Sequence, residues 1–170
     1  MRNFLILVML LFCTPLMADD RQAWENCKTV RQATLSITLN AEEARTAYAQ
    51  AEAAYSSVPP EHRQMFAGPI QELRDAMEHA TSAQARGESR LLIAEAGFSV
   101  LEQRVMSGEW DGVEEVANYV RRRYRLAQGL LMGASMDYDR IAHDAPELEQ
   151  DINDFLSMLE AFEDFFGPLP

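Results

Sequence analysis

From Cys27 onward, small or apolar residues recur at alternating steps of three and four. The series runs Cys27, Val30, Thr34, Ile37, Ala41, Ala44, Tyr48, Ala51, Tyr55 and Val58, with Thr34 the one polar member. That spacing describes a helix presenting one seam to a partner. It predicts a first helix over 21–57, ended by Pro59-Pro60. Asn40 with Glu43 makes a capping-box pattern, where the helix restarts or bends.

Similar stripes predict four further helices. The second has a weak first turn from Glu61, a main body opening at Gly68-Pro69 with Phe66, Ile70, Leu73, Met77 and Ala80 on its apolar side, and an end at Gly87. The third carries Leu91, Ala94, Phe98, Leu101 and Val105, and ends at Gly108. The fourth opens at Asp111, with Glu114 three residues later, and its stripe runs without error from Val113 to Ile141. Asp144, Pro146 and Glu147 signal a fifth, striped Leu148, Ile152, Phe155, Leu159, Phe162 and Phe166 and ended by Gly167-Pro168. Period-two alternation is absent. The reading is an all-α antiparallel helical bundle of about five helices, the first and fourth long and three shorter, with the two long ones packed on each other.

The first 18 residues, MRNFLILVMLLFCTPLMA, fall outside this code. One arginine precedes an unbroken apolar stretch from Phe4 to Phe12, then Thr14-Pro15 and a small residue at Ala18. This is the pattern of a secretory signal peptide, and the apolar stretch is well short of the ~20 residues that span a bilayer. The expected domains are therefore a leader over 1–18 and a single helical-bundle domain over 19–170, exported to the periplasm or secreted. No later segment is apolar enough to span a membrane.

Charge narrows the partners. The chain has 15 basic and 27 acidic side chains, a net charge of −12. Loss of Arg2 with the leader leaves 14 against 27, or −13. Such a chain repels phosphate backbones and anionic lipid, so nucleic acid is not expected as a partner. Cys13 would also leave. Cys27 then remains alone, either buried as a small hydrophobe, as its stripe position suggests, or bridging two chains.

No catalytic signature is visible. There is no Gly-x-Ser-x-Gly, and no glycine-rich phosphate loop. The adjacent pairs Glu42-Glu43 and Glu114-Glu115 point about 100° apart on a helix, as solvated carboxylates do. The chain therefore reads as a non-enzyme, with no cofactor. Asp139 and His143, four residues apart, are weak candidate metal ligands, but a histidine near a helix C-terminus also complements the helix dipole. The six methionines after the leader read as core filler rather than copper ligands. Gly129 and Gly133 share a helix face and suggest a close approach or a bend.

Two segments bear on partners. Residues 137–170 hold ten acids and one arginine, and Leu156, Met158 and Phe165 flank the main stripe of the fifth helix, giving it an apolar face wider than one seam needs. Residues 119–125, YVRRRYR, form the only dense basic run. Folding about a turn near Asp144 would set these arginines against Glu160, Glu163 and Asp164, with Arg122 left to a partner. The expected function is an exported protein-binding bundle (an inhibitor, immunity-type protein, chaperone or assembly factor) whose acidic surface meets a basic partner protein through Arg122, Leu156, Met158 and Phe165. The alternatives are a metal- or small-ligand-binding periplasmic bundle and a self-associating module.

Overall fold

The computed structural model describes the backbone of residues 2–166 and the side chains of residues 18–162, 164 and 165. The side chains of the expected leader before Ala18, those of Glu163 and Phe166, and the expected stop at Gly167-Pro168 lie outside the described residues. The chain is all-α. Among the described residues four helices, α1 (Arg2–Leu35), α2 (Ala41–Ser57), α3 (Ala67–Met106) and α4 (Val113–Phe166), are joined by short connections, one of which contains a 3-10 turn at Arg63–Met65. No described helix is long and apolar enough to cross a membrane.

The long helices are α3 and α4, of 40 and 54 residues, rather than the first and fourth of five. The expected first helix divides at residues 36–40, where Asn40 stands at the N-cap position of α2. Its amide does not cap the helix but donates to Asp139 at 2.7 Å. The expected breaks at Gly87 and at Asp144-Pro146 do not occur. In α3 the three-four stripe continues in phase through Gln84 and Gly87 into Leu91, and in α4 it continues from Ile141 through Ala145 to Leu148 and Ile152. A continuous buried stripe outweighs a local stop signal. Pro146 costs a helix about 3 kcal/mol. Burying Leu148 and Ile152 beyond it returns about 1.5–3 kcal/mol each. Gly87 serves as a gap, because a Cβ there would lie 2.8 Å from Cγ and Cδ2 of Leu131.

The chain forms two compact units. Unit 1 comprises Met1–Ile37 and Ala85–Leu131, and unit 2 comprises Thr38–Gln84 and Met132–Pro170. Each holds three helical segments around its own core. In unit 1, Trp24 and Cys27 of α1 pack with Phe98 and Leu101 of α3 and Val120 and Tyr124 of α4. Trp24 stacks on Phe98 at 4.9 Å between ring centroids. In unit 2, the alanines of α2 pack with Ile70 and Leu73 of α3 and Tyr138, Ile141 and Ile152 of α4. The small residues allow close backbone approach while the tyrosines fill the gaps.

The turn between α3 and α4 sets the pairing register. Gly108 (φ 82°) and Gly112 (φ 71°) adopt the left-handed conformation that glycine tolerates. The first turn of α4 is capped not by Asp111 but by α1: the Glu114 backbone N–H donates to Asp20 Oδ1 at 2.6 Å. Asp20 is buried there, where its charge also complements the helix N-terminus.

Candidate protein-binding surface

A highly connected polar group lies in unit 1. Arg31 grips Glu95 with two 2.9 Å bonds, and the Tyr124 hydroxyl donates to the same carboxylate at 2.8 Å. The Arg31 guanidinium also lies 4.6 Å from the Phe98 ring centroid. The bonds from Arg31, helped by that from Tyr124, hold the Glu95 carboxyl below its ordinary range, while burial and the neighbouring carboxylate raise the Tyr124 hydroxyl. Unit 2 has a more exposed counterpart. Tyr48 and Arg74 both donate to Glu52 at 2.6 Å, which lowers that carboxyl, with the Tyr48 bond the largest cause. The first cluster ties α1, α3 and α4 together and the second ties α2 to α3; they are fastenings. Sequence patterning missed them. The signal was that Glu95 and Tyr124 stand almost equidistant from the 107–112 turn and each adjoins or occupies the stripe.

Asp139 and His143 are not brought together. Asp139 is taken up by Asn40, while His143 pairs with Asp144 at 3.0 Å and lies 3.8 Å from Glu147. The bond to Asp144 chiefly raises the His143 pKa. Among the described residues no three His, Cys, Asp or Glu side chains are placed to hold a metal ion. Cys27 is fully buried, and burial pushes its thiol up to about 11 against the opposing pull of Arg121 and Arg31. A side chain so enclosed is not presented for a bridge between chains.

The arginine run is divided among helix faces. Arg121 turns towards α1, where it lines a hollow with Asp19, Gln22 and Asn26, and its Nε is buried without a partner. Arg123 donates to the Tyr119 hydroxyl at 2.8 Å, its guanidinium 4.9 Å from that ring. Arg122 is exposed and lines an open hollow with Glu114, Glu115 and Asn118. The expected pairing with Glu160 and Asp164 across a hairpin does not form, because α4 has no turn at Asp144 to fold it back; Glu163, the third expected partner, lies outside the described side chains.

The last turns of α4 present the other candidate surface. Leu156 is half-buried against the unit 2 core, so it supports this face from beneath. Met158, Phe162 and Phe165 are exposed at 61%, 44% and 82%. Steps of four and three put them on one strip of the helix, with Asp154 continuing the strip one turn earlier and Asp164 to one side of it, while Glu160 falls on the opposite face. Gly129 and Gly133, read from the sequence as a close approach, have nothing within 4 Å of a would-be Cβ. Comparison with protein-family models, with curated proteins and with solved structures finds no match to this chain.

Proposed function

We propose that this chain is an exported, non-enzymatic protein-binding module that recognises a basic, partly apolar protein surface through the C-terminal end of α4. The observation that carries this reading is the exposure of Met158, Phe162 and Phe165 together on one acidic helix end. Exposed aromatics at helical spacing, rimmed by charge, are the usual means by which a helix anchors in a partner's groove. The surrounding carboxylates would steer a basic partner and set the salt dependence of binding. Arg122, exposed in unit 1, is a second contact point in this reading. Inhibition, immunity, chaperoning and assembly all fit such a module.

Affinity capture with the immobilised full chain tests the reading. Wild type is expected to retain a stoichiometric basic protein at low salt, and Met158→Glu with Phe165→Glu to lose it. Retention of the same proteins by both chains would refute the assignment of this surface. Arg122→Glu separates the second contact from the first.

A further inference from the structure

Unit 1 has an uncovered face whose composition differs from the rest of this acidic chain. α1 lies on the side of the α3–α4 pair reached by Glu95, Glu114 and Arg121, each the residue after a core position. Glu95, after Ala94, meets Arg31, and Glu114, after Val113, meets Asp20. In an antiparallel pair the residues that precede the core positions fall together on the opposite side. On α3 these are Arg86, Arg90, Ile93, Gly97, Val100 and Arg104. On α4 they include Tyr119, Arg123 and Leu126. Ile93, Val100, Tyr119 and Leu126 are each about half exposed, at 49%, 57%, 48% and 54%. Neither series contains an acid. Unit 1 thus shows an apolar strip bordered by four arginines, on the side where a three-helix unit lacks a fourth helix.

We propose that this face seats the acidic edge of α4 from a second copy of the chain. The inference rests on reading the end of α4 as a protein-binding edge, and it names the partner. On α4 of unit 2, the residues that precede the core positions begin with Gly133, Asp137 and Arg140 and continue as Asp144, Glu147, Asp151, Asp154, Met158, Ala161 and Phe165, so the acidic edge lies beyond Arg140. Asp151 and Asp154 run into the exposed Met158 and Phe165, opposite in charge to Arg90 and Arg123 beside the apolar strip, while Asp144 is engaged by His143 and Arg140 and Arg104 by Glu109. The lengths agree as well: residues 86–104 span about 27 Å and residues 144–165 about 32 Å at 1.5 Å per residue. Apolar area supplies the attraction, and the opposed charges select the partner and set the orientation. A chain of net charge −12 otherwise repels its own copies, so a local basic face is what self-recognition requires.

Sedimentation velocity on the purified full chain tests this, with circular dichroism to verify that each variant is helical. Wild type should associate as concentration rises, and less so at high salt. Arg90→Glu with Arg123→Glu should weaken association more than about tenfold, as should Asp151→Arg with Asp154→Arg in a separate chain. An equimolar mixture of the two variants should associate again, because a reversed face then meets a reversed edge. Wild type remaining at monomer mass throughout would overturn the proposal. So would unimpaired association of either variant, or a mixture that stays monomeric. Should the chain stay monomeric while Met158 and Phe165 still mediate capture of another protein, only this inference fails and the reading of the α4 end stands.

Discussion

Gly87 offers the sharpest test of the packing. A Cβ at this position would meet Cγ and Cδ2 of Leu131 at 2.8 Å and Cβ of Leu130 at 3.3 Å. Two opposing effects set the outcome of Gly87→Ala. Replacing a mid-helix glycine gains about 1 kcal/mol of helix propensity. Forcing a methyl into a packed seam costs about 1–3 kcal/mol. Leu131 is only 5% exposed and has little room to move, so the balance should be a net loss of about 1 kcal/mol. Leu131→Ala alone should cost about 2–5 kcal/mol by opening a cavity. In the double variant the new methyl enters the space vacated by Leu131, so the clash disappears while the propensity gain remains. The double variant should therefore be more stable than the sum of the singles by about 1–3 kcal/mol. Urea unfolding followed by circular dichroism measures all four corners of the cycle. Additivity within about 0.5 kcal/mol, or a full 1 kcal/mol stabilisation by Gly87→Ala alone, would show that Gly87 is not a gap for Leu131.

Glu95→Ala should cost about 1–4 kcal/mol, mostly from leaving the buried Tyr124 hydroxyl without its acceptor, since the partly exposed Arg31 pair adds only about 0–1 kcal/mol of that. The Glu95 carboxyl is held below its ordinary value, so its contribution is complete above about pH 4.5 and is lost as pH falls through the lower folded value. The acid limb of the stability profile should therefore be shallower in Glu95→Ala, and an unchanged limb would contradict the network. Cys27, with its thiol buried and raised to about 11, should not react with a thiol reagent at pH 8 until the protein unfolds. Rapid labelling of the native chain at one equivalent would disprove its enclosure.

The chemistry of the sequence determined the class of fold and much of the core. The three-four spacing named nearly every buried residue of α4, from Val113 to Ile141, because helix period and burial are the same information when one face is dry. It held at the Pro59-Pro60 and Gly108 ends and failed at the two internal boundaries. Gly87, Pro146 and the Asp144 cap are local stop signals worth a few kcal/mol, and whether they stop a helix depends on how much stripe is buried beyond them. The phase through Gln84 and through Ala145 was present in the sequence, but its weight against the stop signals was not. The misplaced turn then carried the arginines to the wrong partners. Residues equidistant from a turn do oppose one another, but the turn lies at 107–112 rather than at Asp144. Only the tertiary structure could decide which polar residues meet across helices, as Arg31, Glu95 and Tyr124 do, since pairs 64 and 29 residues apart leave no local trace. It also decided which side of each seam a third helix covers. That choice depends on the summed packing of three faces, and it leaves the strip around Ile93 and Leu126 exposed while the equally apolar core stripe beside it is dry.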